Sequence, residues 1–228
     1  MPKTFVIGDV HGAYRALLQC FEKSNFNFNT DTLICLGDVA DGWPETMQAI
    51  DELLKVKHLV YVLGNHDFWT LEWMITGLAD NAWLDQGGQA TVDSYGENIP
   101  DHHVQFLKQA KPYHIHQNKL FVHAGINVNR PLEEQGLETF LWDRSFVRQA
   151  KHEHETKKRK KLTQFEAVFV GHTPISDPKP IQYCEVWMMD TGAGWSGSLS
   201  MMNIDTLECF ISDPVPVLYP GIKGRRRF

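Results

Sequence analysis

Five short polar strings stand at the ends of apolar runs in this chain, and that pattern narrows the folds open to it. They read GDVHG at 8–12, GDVADGW at 37–43, GNHD at 64–67, VHAG at 122–125 and VGHT at 170–173. The runs TFVI, LICL, VYVL and AVFV lead into the first three and the last. Each has the length and composition of a buried strand. In an open α/β sheet the carboxyl ends of parallel strands face one crevice, so residues distant in sequence meet there. The strings would thereby gather two Asp, one Asn and three His, donors suited to a pair of divalent ions.

Between the runs the periodicity changes. Helical spacing links Tyr14, Leu17, Leu18 and Phe21; Met47, Ile50, Leu53 and Leu54 behind Pro44; and Phe68, Leu71, Ile75 and Leu78. The opening therefore reads β-α-β-α-β, a parallel or mixed sheet covered by helices. Residues 79–99, rich in Gly, Asp and Asn, read as a loop near the cleft, and Pro100 opens a further helix. Residues 113–123 read as a hairpin turning at Gln117-Asn118. The runs at 166–170, 185–190, 198–204 and 207–211 read as strands of a β-rich second half.

Composition bounds the rest. A chain of 228 residues, 43% of them apolar, suits one globular domain. No apolar run approaches the roughly 20 residues that span a bilayer. The start MPKTFVIGD lacks the apolar segment of a secretory signal, so the expected location is cytoplasmic, with no membrane partner. Cys20, Cys35, Cys184 and Cys209 show no CxxC spacing and read as buried free thiols. The net charge of −6 argues against a general nucleic-acid-binding surface. The charged run at 151–161 reads as a solvated helix end or loop, with a substrate-docking flap as the alternative. The tail GIKGRRRF at 221–228 reads as a mobile basic terminus.

Taken in order, the five blocks resemble the calcineurin-like metallophosphoesterases, and among them the bacterial and phage phosphoprotein-phosphatase-like (serine/threonine phosphatase) branch. That pattern is GDxHG, GDxxDRG, GNHE or GNHD, HAG and GHT. The strings DQGGQATVDSYG at 85–96, LWDRS at 141–145 and DTGAGWSGSLSMMNID at 190–205 extend the likeness over nearly the whole chain. The resemblance implies an α/β fold: a two-sheet αββα sandwich of mixed sheets flanked by helices, one domain over residues 1–228. It implies one metal site from Asp9, His11 and Asp38, and a second from Asp38, Asn65, His123 and His172, with Asp38 bridging. Mixed nitrogen and oxygen donors point to Mn²⁺, or Fe or Zn²⁺, rather than Ca²⁺. Two ions about 3.5–4 Å apart clamp an in-line displacement at phosphorus and make a bridging hydroxide available at neutral pH.

The same resemblance implies that His66 protonates the leaving oxygen and that Asp41 orients it. Arg144 in LWDRS resembles a phosphate clamp, and Asn65 adds a phosphate contact. Gly8, Gly37, Gly64 and Gly171 precede site residues, where a small residue lets the backbone turn. One position departs from the pattern. Gly42 stands where an Arg is expected, followed by Trp43, which either fills the vacated space or stacks on a ring of the substrate. His102, His103, His114, His116, His152 and His154 match no position of the pattern and are left out of the site.

The expected activity is hydrolysis of phosphate monoesters, on a phosphoprotein, a nucleotide or a small phosphoester. The alternatives are a symmetrical dinucleoside polyphosphate hydrolase, a phosphodiesterase, and a weakly active metal-binding regulatory module.

Overall fold

A computed structural model describes residues 1–158 and 160–225. Its strands form two five-stranded sheets. In the first, β1 (Thr4–Ile7), β2 (Thr32–Cys35) and β3 (His58–Tyr61) run parallel. Strands β9 (Ser200–Asn203) and β10 (Cys209–Ile211) extend it antiparallel, in the order β10-β9-β1-β2-β3. In the second, β5 (Lys119–Val122), β6 (Ala167–Val170) and β8 (Val186–Met188) run parallel. Here β4 (Tyr113–His116) and β7 (Ile181–Tyr183) form antiparallel edges, in the order β4-β5-β6-β8-β7.

The strands are apolar on both faces because both faces are covered. Alternate residues go to different cores, as the two-residue period of a strand requires. Phe5, Ile7, Leu33 and Cys35 face the helices of the first layer, whereas Val6 and Ile34 point between the sheets. Leu120, Val122, Val168 and Val170 face the outer helices of the second layer, whereas Phe121 and Phe169 point inward. Those two rings stack at 5.0 Å across the sheet. Three apolar layers separated by two sheets make the αββα sandwich.

Helices α1 (Tyr14–Ser24), α2 (Thr46–Leu53) and α3 (Asn65–Thr76) follow β1, β2 and β3 as expected. Their buried faces differ in part from the apolar spacing. Leu18, Leu54, Ile75 and Leu78 are exposed. The buried stripe of α3 is Asn65, His66, Asp67, Thr70 and Trp73, because its first turn faces the cleft rather than an apolar core. Residues 79–99 are not a loop. They carry helical segments at Asn81–Trp83, Leu84–Gly88 and Gln89–Tyr95, pinned by the buried Trp83, Thr91 and Tyr95. Strand β7 is short, on an edge and only partly buried, so no apolar run announces it. The charged run forms the largely exposed end of a helix, Ser145–Thr156, whose first turns bury Phe146, Val147 and Ala150; Arg159 of that run lies outside the described residues. No helix among the described residues is long and apolar enough to cross a membrane.

Candidate active site

Each sheet delivers the carboxyl ends of three parallel strands to one cleft. From the first come Asp9 and His11 after β1, Asp38 and Asp41 after β2, and Asn65, His66 and Asp67 at the start of α3. From the second come His123 after β5, His172 after β6 and Asp190 after β8. All are buried, none more than 8% exposed.

The backbone bends hard to aim these side chains. His11, Asp38, Asp41 and His172 have φ of 50°, 52°, 72° and 61°, a left-handed conformation that costs a non-glycine residue energy and clusters at functional sites. Gly64 and Gly171, like Gly8, are needed for close approach rather than for turning. A Cβ at Gly64 would stand 2.1 Å from Asp38 Oδ1, and one at Gly171 would stand 2.0 Å from Asp9 Oδ1. Among the four glycines that precede site residues, only Gly37 has a positive φ, +100°.

Donors converge in two groups that share one carboxylate. Asp9, His11 and Asp38 bring ligand atoms within 4.8 Å of one another, and so do Asp38, His123 and His172. Asp38 Oδ2 lies 3.8 Å from His11 Nε2 and 3.4 Å from His123 Nε2. Asn65 Oδ1 joins the second group, 3.0 Å from His123 Nε2 and 2.8 Å from His172 Nδ1. A third acidic and histidine group, Asp51, His102 and His103, lies elsewhere; there His103 is held between Asp51 and the Tyr95 hydroxyl.

The donor set fits divalent cations. His11 Nδ1 donates to the Ala40 carbonyl at 3.0 Å and His123 Nδ1 to the Leu36 carbonyl at 2.8 Å. Those bonds place the ring hydrogen on Nδ1 and turn the Nε2 lone pairs into the cluster, the arrangement that orients metal-binding imidazoles. Asp9 Oδ1 and Asp190 Oδ2 are buried without a hydrogen-bond partner among the described residues. A buried carboxylate oxygen left without a partner is costly, and a cation removes the cost.

Electrostatics agree. Burial, reinforced by Asp190, raises the Asp9 carboxyl well above its usual range. Burial also works to raise Asp38, yet His123 and His66 beside it hold it well below. Burial works against a charge on His123, but Asp38 overrides it and lifts the imidazole to about 10. His172, its ring 5.1 Å from that of His123, is pushed down to about 2 by burial and by the charge on His123. Of the three donor imidazoles Asp38 lifts only His123; burial, with Arg225 beside it, holds His11 well below its usual value although Asp38 is near.

A second network flanks the donors. His66 Nδ1 lies 2.6 Å from Asp41 Oδ2. Asp41 is fully buried and also accepts from Trp83 Nε1 at 2.7 Å and from Thr91 Oγ1 at 2.8 Å. The His66 amide donates to Asp38 Oδ1 at 2.9 Å, which ties the pair to the shared carboxylate. Arg144 stands at the rim, its Nη2 3.5 Å from the His172 carbonyl.

Sequence reasoning missed three residues. Asp67, the last letter of GNHD, accepts from the amides of Asp38, Val39 and Gly64 and from the Tyr61 hydroxyl, all between 2.7 and 3.0 Å. It thus holds the loop that carries Asp38. Asp190 was legible as the polar end of another strand, since DTG follows the apolar run VWMM at 186–189. Arg225 gave no signal within a tail that reads as mobile. That reading fails as far as Arg225, and residues 226–228 lie outside the described residues. Arg225 N donates to the Gly194 carbonyl, Nε donates to the Gln86 carbonyl, and Nη1 stands 3.2 Å from His11 Nε2. Trp43 is only 1% exposed, donates to the Ala193 carbonyl and stacks on Tyr219 at 5.1 Å. Of its two expected roles, the structure favours filling space.

A cavity of about 750 Å³ adjoins the site, lined by Arg144, Arg225, Trp195 and Thr191 among others.

Known proteins place this geometry. The family of calcineurin-like phosphoesterases matches residues 2–188. A serine/threonine-protein phosphatase 1 of Salmonella typhimurium is 24% identical over 208 residues, covering 88% of this chain and 91% of its own. An asymmetrical bis(5'-nucleosyl)-tetraphosphatase of Bacillus cereus is 25% identical over 231 residues, covering 89% and 91%. A protein serine/threonine phosphatase from Saccharomyces cerevisiae shares the fold with a TM-score of 0.65 at 14% identity, over 98% of this chain and 82% of that one. The chain belongs to the calcineurin-like metallophosphoesterases and is a phosphoric ester hydrolase.

Proposed function

We propose that this protein is a phosphomonoesterase of the serine/threonine protein-phosphatase type that works with two divalent ions, Mn²⁺ first among them. The observation that carries the reading is the position of Asp38, one carboxylate oxygen of which faces donors from both groups. Asp9, His11 and Asp38 would hold one ion, and Asp38, Asn65, His123 and His172 the other. When bound, the ions supply a nucleophile at neutral pH and a positive clamp for phosphate oxygens.

The chain's own side chains do the rest. Arg144 at the rim and the Asn65 amide orient the phosphoryl group for attack along the line of the leaving bond. His66 protonates the leaving oxygen through Nε2, the ring nitrogen that points away from Asp41. Asp41 fixes the ring and its tautomer, and is itself locked by Trp83 and Thr91. General acid catalysis of this kind contributes on the order of 10²–10⁴-fold. Burial of the whole cluster keeps water from competing for these contacts.

A second reading, a dinucleoside polyphosphate hydrolase, is favoured by the size of the adjoining cavity and by the tetraphosphatase relatives. The test is a substrate panel with Mn²⁺: aryl phosphate, bis-aryl phosphate, dinucleoside tetraphosphate and phosphoserine peptide. The proposal expects kcat/KM on the monoesters, the peptide included, to exceed that on the diester and the dinucleotide. Preference for the dinucleotide would replace it with the second reading.

A further inference from the structure

The string that follows Asp41 lacks a side chain at Gly42, and another part of the chain occupies that place. A Cβ built on Gly42 would meet Arg225 Cγ at 2.9 Å. Arg225 also passes over Gly87 and Gly194, whose added Cβ atoms would meet its side chain at 3.0 and 3.2 Å. Gly42 itself has φ +107°, so a larger residue there would be strained as well as blocked.

The segment that brings Arg225 in is seated on Trp43. Tyr219 stacks on the Trp43 ring, and Gly224 lies so close that a Cβ would stand 2.7 Å from Trp43 Cζ2. Tyr219 is held in turn, its hydroxyl donating to Glu45 and accepting from the Arg15 amide. The Gly42-Trp43 pair thus forms a seat: the tryptophan anchors the strap and the glycine leaves the channel through which the arginine passes.

The guanidinium is fixed on several sides. It lies over the Trp195 ring at 4.5 Å and donates through Nε to the Gln86 carbonyl at 2.9 Å. Burial lowers the guanidinium's pKa, and Asp38, Asp41, Asp190 and Asp9 only partly offset that by favouring its charge. Nη1 reaches His11, so the fork stands beside the first donor group and lines the same cavity as Arg144. No described residue takes the N–H groups of Nη2. A planar cation held in place with donors left over suits two oxygens of a phosphoryl group.

We propose that Arg225, delivered by the C-terminal strap, is a phosphate-binding residue of this site and works opposite Arg144 to grip the substrate's phosphoryl group. The inference rests on the phosphoesterase reading above. Its rival is a plug: an arginine that covers His11 and keeps an ion out.

Titration calorimetry of inorganic phosphate into the full Mn²⁺-loaded protein tests it, with wild type, Arg225→Ala and Arg225→Lys compared and bound metal measured in each. The expected result is a phosphate Kd at least about tenfold weaker in Arg225→Ala, a charge-assisted bond's worth. Arg225→Lys should fall between, since an ammonium cannot pair two oxygens through a planar fork. Ion content should stay at the wild-type level in both. Unchanged phosphate affinity in Arg225→Ala overturns the proposal, and so does tighter ion binding, which would make Arg225 a plug. If the alanine variant does not fold, an Arg225→Lys variant that binds phosphate as well as wild type overturns it. Wild-type protein that neither binds phosphate nor hydrolyses any phosphoester would sink the phosphoesterase reading as well. Wild-type hydrolysis with Arg225→Ala unaffected in phosphate binding would remove this inference alone.

Discussion

Replacing Asp41 by Asn separates the role of the flanking network from that of the metal donors. Asp41 touches none of the donor groups' ligand atoms, yet it receives three donors: His66 Nδ1, Trp83 Nε1 and Thr91 Oγ1. An asparagine can keep its oxygen toward His66 and Trp83 and present its amide to Thr91, whose hydroxyl can turn to accept. The fold should therefore survive, at a cost of about 1–3 kcal/mol for the weakened buried bonds. The contact to His66 changes from charge-assisted to neutral, which forfeits about 1–1.5 kcal/mol. Since 1.4 kcal/mol is about tenfold in rate, and the tautomer of His66 is also less firmly set, kcat on an alkyl phosphate should fall about 10- to 100-fold. The assay is a leaving-group series from nitrophenyl to alkyl phosphates, with metal content measured alongside. A leaving group that departs readily needs less protonation, so the loss should grow as the leaving alcohol becomes less acidic. Equal losses across the series with both ions present would refute the argument that Asp41 acts through the proton on His66. Loss of the ions would make Asp41 a structural support of the metal site instead.

Other changes should behave as follows. Asp38→Asn should sharply reduce binding of both ions and nearly abolish turnover, checked by metal analysis and kinetics on the same sample. His66→Asn should keep the ions and lower kcat on an alkyl phosphate by about 10²-fold or more, with a smaller loss on an aryl phosphate. Asp67→Ala strips the acceptor from three amides and the Tyr61 hydroxyl, so urea unfolding should show a loss of about 3–5 kcal/mol. Burial raises the Cys20 thiol from 9.0 to about 12. Above pH 9 the unfolded chain releases that proton and the folded chain holds it, so stability should fall by up to about 1.4 kcal/mol per pH unit until about pH 12. Cys20→Ala should remove that part of the slope.

What the sequence could convey follows from how each residue does its work. The parallel strands carry apolar residues on both faces, so they appear as short continuous runs, and the polar strings at their ends could be read as one site. Asp9, His11, Asp38, Asn65, His123 and His172 meet where strand ends meet, and the motif order alone brought them together. Helix α3 misled because its buried face is polar: Asn65, His66, Asp67 and Thr70 point into the structure while Ile75 lies exposed. Residues 79–99 misled because Gly and Asp there serve short helices that present Trp83 and Thr91 to Asp41, a tertiary demand with no local signature. Asp67 was hidden by its neighbours in GNHD, since an acceptor of backbone amides carries no pattern beyond its own letter. Arg225 was hidden for a different reason. Its partners, Gly42, Gln86, Gly194 and Trp195, are scattered along the chain, and a basic terminus ordinarily stays solvated.

The central claim is that two ions share Asp38, and anomalous diffraction from crystals of the Mn²⁺-loaded protein, with metal content measured in solution, tests it most directly. The account predicts two manganese peaks about 3.5–4 Å apart, one against Asp9 and His11, the other against Asn65, His123 and His172, with Asp38 between them. A fully active enzyme holding a single ion, or two ions with Asp38 bound to neither or to only one, would contradict it.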